Sequence, residues 1–128
     1  MIYSKCGSST GLSESNVDRK LLSSKCNIHG RVYIIDLLEF ANGCFASISE
    51  DQNAKIGAIT VSIRTGDRAT SSALIPESKG SIFARMVGEL LADKLHGIAV
   101  VSLYLREELE AESMKTLINE VRKLLHKD

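Results

Sequence analysis

Residues 98–105 read Ile-Ala-Val-Val-Ser-Leu-Tyr-Leu, with Gly97 before them and the charged run Arg106, Glu107, Glu108 after them. Eight residues rich in branched and aromatic side chains, uncharged and bounded by a breaker and by charges, predict a β-strand. Side chains alternate across a strand. Ile98, Val100, Ser102 and Tyr104 therefore share one face, and Ala99, Val101, Leu103 and Leu105 the other. Neither face is plainly polar, so the strand is expected to be central and covered on both sides. What supplies the two covers decides the fold.

The flanking segments supply one cover. In residues 82–95 the apolar positions 83, 86, 87, 90, 91 and 95 keep the 3.6-residue rhythm of one helical stripe. Ser81 is placed to cap this helix, and His96-Gly97 to end it, glycine suiting a left-handed position. Gly88 lies inside, where glycine costs about 1 kcal/mol relative to alanine; close packing on a sheet would explain it. A second helix is expected from Glu107 to His126, with Met114, Leu117, Ile118, Val121, Leu124 and Leu125 as its stripe. Acidic residues crowd its start and basic ones its end, which complements the helix dipole.

Upstream, the spacing predicts a run of strands. Residues 31–40 are apolar on both faces near their middle, and Asn42-Gly43 then gives a strong hairpin signal because both residues accept positive φ. Residues 44–49 return antiparallel. Residues 55–64 form the next strand, with Ile59, Val61 and Ile63 on one face and Ala58, Thr60 and Ser62 on the other. Residues 69–75 form another, stopped by Pro76. Four strands joined by tight turns predict a meander. Residues 1–30 hold seven serines and few branched apolar side chains. Residues 1–27 are expected to be a flexible, serine-rich tail with an edge strand near 20–28, ahead of a single domain over 28–128.

The expected fold is α+β. An antiparallel sheet of five or six strands carries two helices on one face, in the order ββββαβα. The second face should then meet water and alternate to charged residues, yet 56–63 and 98–105 carry no charge and the interior of 31–40 only Asp36. An apolar face of that size marks an interaction surface. The chain is expected to dimerise through it into an α/β/β/α sandwich. The smaller, more polar residues Ala58, Thr60, Ser62, Val100, Ser102 and Tyr104 are expected to form the interface, and the bulkier Ile59, Val61, Ile63, Val101, Leu103 and Leu105 to meet the helices.

Composition narrows the function. The 128 residues fit one domain, 44% are hydrophobic and 25% charged, and 16 basic residues balance 16 acidic ones. That balance argues against a nucleic-acid or membrane-surface binder. Cys6, Cys26 and Cys44 show no Cys-x-x-Cys spacing and no secretory signal opens the chain, so free thiols in a reduced, intracellular setting are expected. No catalytic motif is present: there is no nucleophile elbow, no His-Glu-x-x-His and no phosphate-cradling loop. His96 and His126 fall at helix ends, where a cation is favoured. His29 forms only a Cys-x-x-His pair with Cys26, half of a four-ligand zinc site. Asp36 and Glu39 point to opposite faces, and Cys44 reads as a small core residue. No catalytic residue, metal site or cofactor is expected.

Residues 91–105, Leu-Ala-Asp-Lys-Leu-His-Gly and then the central strand, resemble the helix-to-strand passage of the small proteasome assembly chaperones of the third and fourth types. The fourth type shows Leu-Ala-x-x-Leu-Ala-x-Lys-Thr, a short turn, and an apolar strand with a central serine. Leu91-Ala92-Asp93-Lys94 and Ser102 fit its later part; Leu95 stands where threonine is frequent and Val87-Gly88 where Leu-Ala would. Ile56-Gly57-Ala58-Ile59-Thr60-Val61 and Thr70-Ser71-Ser72-Ala73-Leu74 are similar to two further strands of the family. The resemblance covers about residues 28–126 and favours the fourth type. It implies a non-enzymatic chaperone, cytoplasmic and also nuclear, that pairs with a related chain through its sheet and binds an α-type subunit of the 20S proteasome to promote α-ring assembly. The competing expectation is a roadblock- or longin-like dimeric scaffold for a small GTPase or trafficking complex, which calls for a helix within residues 1–30.

Overall fold

The computed structural model describes residues 4–11, 20–75 and 79–126, with side chains from residue 21 onward. Its strands are β1 (Ser4–Gly11), β2 (Lys20–Ile28), β3 (Arg31–Phe40), β4 (Gly43–Ser49), β5 (Ala58–Thr65), β6 (Arg68–Ile75) and β7 (Ile98–Tyr104). Helix α1 (Ser81–Leu95) precedes β7, and α2 (Ala111–Leu125) follows it. The seven strands form one sheet in the order β1-β2-β3-β4-β7-β5-β6.

The α+β class and the two helices agree with the sequence reading, whereas the element order ββββαβα and the all-antiparallel sheet do not. The chain runs ββββββαβα, and β7 lies parallel to β4 while pairing antiparallel with β5. The expected meander over 31–75 is split. β4 and β5 are not neighbours; β7 enters between them after the α1 crossover. This explains why residues 98–105 read as central: the strand is flanked on both edges and roofed by the helix just before it.

Part of the segment expected as a tail is also sheet. β1 and β2 pair antiparallel in unbroken register from Ser4↔Ile28 to Gly11↔Leu21, while residues 12–19 lie outside the described residues. β2 is not an edge strand, because β1 covers its far side. Serine and glycine have weak strand preference, so the sequence hid a strand that only its partner stabilises. Cys26 is disulfide-bonded, and its register partner in β1 is Cys6. The expectation of three free thiols therefore fails at Cys26; a separation of twenty residues carries no trace of hairpin register.

Several local signals are realised by different residues than expected. Ser81 opens α1, but the cap position is Gly80 in the left-handed region, with no side-chain cap bond. At the far end His96, not Gly97, takes the left-handed conformation. The β3–β4 hairpin forms, yet Gly43 is close to extended (φ 158°). Glycine is needed there because a Cβ would run into the carbonyl of Ile98 on β7. The hairpin with two left-handed residues is β2–β3, at His29 and Gly30, so His29 is a turn residue.

The core lies between the sheet and the helices. α1 packs on β4, β7, β5 and β6, and α2 on β1 and β2. Phe83, Val87 and Leu91 of α1 and Leu117, Val121 and Leu124 of α2 are fully buried against Leu22, Tyr33, Ile35, Leu37, Ile48, Val101 and Leu103. Hydrogen bonds tie the layers: the Ser24 hydroxyl donates to Glu120 on α2 at 2.7 Å, Ser71 to Glu89 on α1 at 2.8 Å, and the Arg64 guanidinium to Asp93 on α1.

Gly88 sits where α1 crosses β5, and a Cβ there would strike the side chain of Ser62. Gly88→Ala is therefore expected to destabilise the fold by about 1 kcal/mol, reversing the usual helix gain of similar size. Thermal melts of Gly88→Ala should show a lower Tm, and Ser62→Gly in the same chain should recover part of the loss.

Candidate protein-binding surface

The helices occupy one face of the sheet, and among the described residues no helix or strand packs over the other. Strand register arranges the bare face in rows. One row runs Leu21, Leu38, Phe45, Val100, Val61 across β2, β3, β4, β7 and β5. The next row runs Ser23, Asp36, Ser47, Ser102, Ile59 through the same strands. All of these but Ser23 and Val61 line a shallow groove of about 330 Å³ whose margin is completed by Ile56.

The groove is apolar and open to solvent. Phe45 is 53% exposed and Ile56 78%, and Leu21, Ile63 and Ile98 on the same side are also exposed. Phe40 and Phe45 meet edge to face, 5.7 Å between ring centroids, which fixes Phe45 at the groove margin. One end is shaped by residues 51–57: the backbone N–H of Lys55 donates to Ser49 Oγ and that of Gly57 to Ser102 Oγ, each at 3.0 Å. Lys55 then lies over the Tyr104 ring, 5.1 Å from its centroid. Such a continuous apolar patch matches the character of a protein interface and not of an ordinary exposed surface.

The six residues expected at the interface do not share this face. Val100, Ser102 and Tyr104 lie on it. Ala58, Thr60 and Ser62 are buried on the helix side, 8%, 6% and 0% exposed. The reason is register. Thr60 pairs with Val101 and Ser62 with Ala99, so the outward partners of Val100 and Ser102 are Val61 and Ile59. Small side chains on β5 serve the close approach of α1 at Gly88. The bulky Ile59, Val61 and Ile63 face outward, while Val101, Leu103 and Leu105 meet the helices as expected. Leu38, Phe45 and Asp36 belong to the surface too; the sequence signal for Leu38 was the missing charge alternation in 31–40.

Asp36 is the carboxylate in the groove. Ser23 Oγ donates to its Oδ1 at 2.6 Å, and no cation pairs with it among the described residues.

A second cavity, about 410 Å³, lies at the sheet end near Gly30, Arg31, Glu50 and Arg106. Its buried carboxylate, Glu50, is fully engaged. Arg31 donates twice to the Glu50 carboxylate, at 2.7 Å each, and to the carbonyls of Glu107 and Glu108. The backbone N–H of Arg106 donates to Glu50 Oε1 at 2.9 Å. Burial pushes the Glu50 carboxyl up, but the hydrogen bonds from Arg31 and the backbone outweigh it and hold it below the usual carboxylate range. The pair fastens β3, β4 and the β7–α2 loop, a structural clamp with no free base. No group of three or more His, Cys, Asp or Glu that could hold a metal occurs among the described residues.

Burial pushes the Cys44 thiol up to about 12, so thiolate is scarce at neutral pH. Iodoacetamide at pH 7.5 is expected to modify Cys44 only after urea unfolding, read by peptide mass spectrometry; rapid labelling of the native chain would contradict this burial.

No family model matches the sequence, and no curated protein matches it. The fold does have a solved counterpart. A chain in the crystal structure of a chaperone complex for yeast 20S proteasome assembly superposes with a TM-score of 0.59 over 95% of this chain and 94% of that one, at 13% identity. The two share an architecture along nearly their whole lengths.

Proposed function

We propose that this chain is a non-enzymatic assembly chaperone resembling the small third and fourth types, the fourth favoured. It pairs with a related chain through the open sheet face to give an α/β/β/α sandwich. The pair binds an α-type subunit of the 20S proteasome and promotes α-ring assembly in the cytoplasm and nucleus. The observation that carries this reading is the bare apolar face of β3, β4, β7 and β5, on a fold shared with a chain of a proteasome assembly chaperone complex. Burial of such a face supplies the main driving force for association.

The scaffold alternative of roadblock or longin type called for a helix within residues 1–30. The described residues there form β1 and β2, which favours the chaperone reading. Affinity purification of the tagged full chain from its own cells tests it. Recovery of a related sheet-and-helix chain and α-type proteasome subunits, without mature particles, is the expected result. Recovery of small GTPases or their regulators instead would overturn it.

A further inference from the structure

We propose that the disulfide at Cys26 is a redox latch: it holds edge strand β1 on β2, and its reduction by a dithiol releases β1 while the rest of the sheet stays folded. The latch is independent of the partner reading, because it lies at the β1 edge, away from the β4–β7 centre.

Of the three cysteines, Cys26 is disulfide-bonded and Cys44 is free. That leaves Cys6, which stands directly opposite Cys26 in the β1–β2 register. Opposed Cα atoms in an antiparallel pair are about 4.5–5.5 Å apart, within the span that a disulfide bridges.

β1 has little else to hold it. Its sequence, Ser-Lys-Cys-Gly-Ser-Ser-Thr-Gly, contains no leucine, isoleucine, valine, methionine or aromatic residue. Serine and glycine have weak strand preference, and glycine loses the most freedom on ordering. The strand pairs on one side only, with β2, and meets α2 at its flank. The cross-link therefore does what apolar burial cannot: it restricts the freedom that residues 6–26 would gain on detachment.

The remaining sheet does not depend on β1. The core beneath α2 includes Leu22 and Ile28 of β2, Ile35 of β3, and Leu117 and Val121 of α2. Cys26 is 0% exposed in that layer, where a thiol is a small apolar group. Reduction leaves it buried, detaches β1 and opens the outer edge of β2.

The exchange balances. A thiolate of the reductant attacks one sulfur, giving a mixed disulfide and one protein thiolate. The reductant's second thiolate attacks its own sulfur in the mixed disulfide and expels the second protein thiolate. Two electrons pass to the cysteines, which take up the two protons given up by the dithiol, and the dithiol becomes a cyclic disulfide.

Hydrogen exchange of the full chain, read by peptide mass spectrometry, tests the latch. Without reductant, the β1 amides paired with β2 are expected to be protected. With dithiothreitol and no denaturant they should exchange at least tenfold faster, while β3, β4, β5 and β7 change less than twofold and circular dichroism is unchanged. Cys6→Ser, which leaves the buried Cys26 in place, should match the reduced chain without any reductant. Reoxidation of the wild type should restore protection. Equal protection of β1 in the reduced chain or in Cys6→Ser would overturn the proposal. So would a bond that dithiothreitol cuts only in urea, which is a permanent staple, or faster exchange throughout β3–β7 on reduction, which makes the bond a support of the whole fold. Alkylation of both Cys6 and Cys26 after equilibration with oxidised glutathione would show that the pair does not form, and would overturn it as well.

Discussion

Val100→Arg is expected to give a folded chain that has lost its partner, whereas Thr60→Arg gives a chain that does not fold. Val100 lies mid-row on the open face, between Phe45 and Val61. In the isolated chain an arginine there can extend into solvent, so the helix-side core is untouched and the Tm should shift by no more than a few degrees. Under a partner the same guanidinium would be buried without a counter-charge. The effective penalty is several kcal/mol per ion, and a loss of about 4 kcal/mol is roughly a thousandfold in affinity. Thr60 is 6% exposed beneath α1, in register with Val101. Arginine there overfills a packed layer and buries a charge, and destabilisation beyond about 4 kcal/mol belongs to that class of change. Circular dichroism melts and partner recovery separate the two outcomes. Equal behaviour of the two variants would mean that the faces are assigned wrongly.

The second large effect is expected at Glu50. Glu50→Ala leaves the Arg31 guanidinium and the backbone N–H groups of Arg106 and Glu107 without their acceptor. Breaking one side of a buried pair costs about 3–5 kcal/mol. The lower end applies here, because the Arg31 side chain is 24% exposed and reaches water. Arg31→Met with Glu50→Leu should recover part of the loss, since no charge is then left alone. The pH dependence has a definite sign. The folded Glu50 carboxyl is held below its unfolded value. Its contribution is therefore present above about pH 4.3, the ordinary glutamate value, and is lost as pH falls through the folded value. Urea titrations from pH 7 to pH 3 should show a steeper loss for the wild type than for Glu50→Gln. Parallel curves would mean that the clamp contributes little.

The parts of this fold that depend on local pattern were legible in the sequence. The stripes of α1 and α2, the apolar run at 98–105 and the hairpin before Cys44 each carry a periodicity or turn signal within a dozen residues. The bare second face was legible as well, from the near-absence of charges in three strands, Asp36 being the exception in their interiors. What was not legible depends on strand neighbours. Nothing local says that β7 enters between β4 and β5, and that insertion fixes which parity of β5 faces outward. The expected interface failed at Ala58, Thr60 and Ser62 for this reason, while Val100, Ser102 and Tyr104 are on the open face. The same limit hid β1, whose serines and glycines form a strand only against β2, and the Glu50–Arg31 clamp, whose members are nineteen residues apart.

The central claim is that a partner chain covers the open face. It is tested most directly by maleimide labelling of Ser102→Cys in a Cys44→Ala background, on the isolated chain and on the complex purified from its own cells. Ser102 lies in the groove itself. Rapid labelling of the isolated chain and strong protection in the complex is the predicted result. Equal labelling in both would contradict the account, because the partner would then be bound elsewhere.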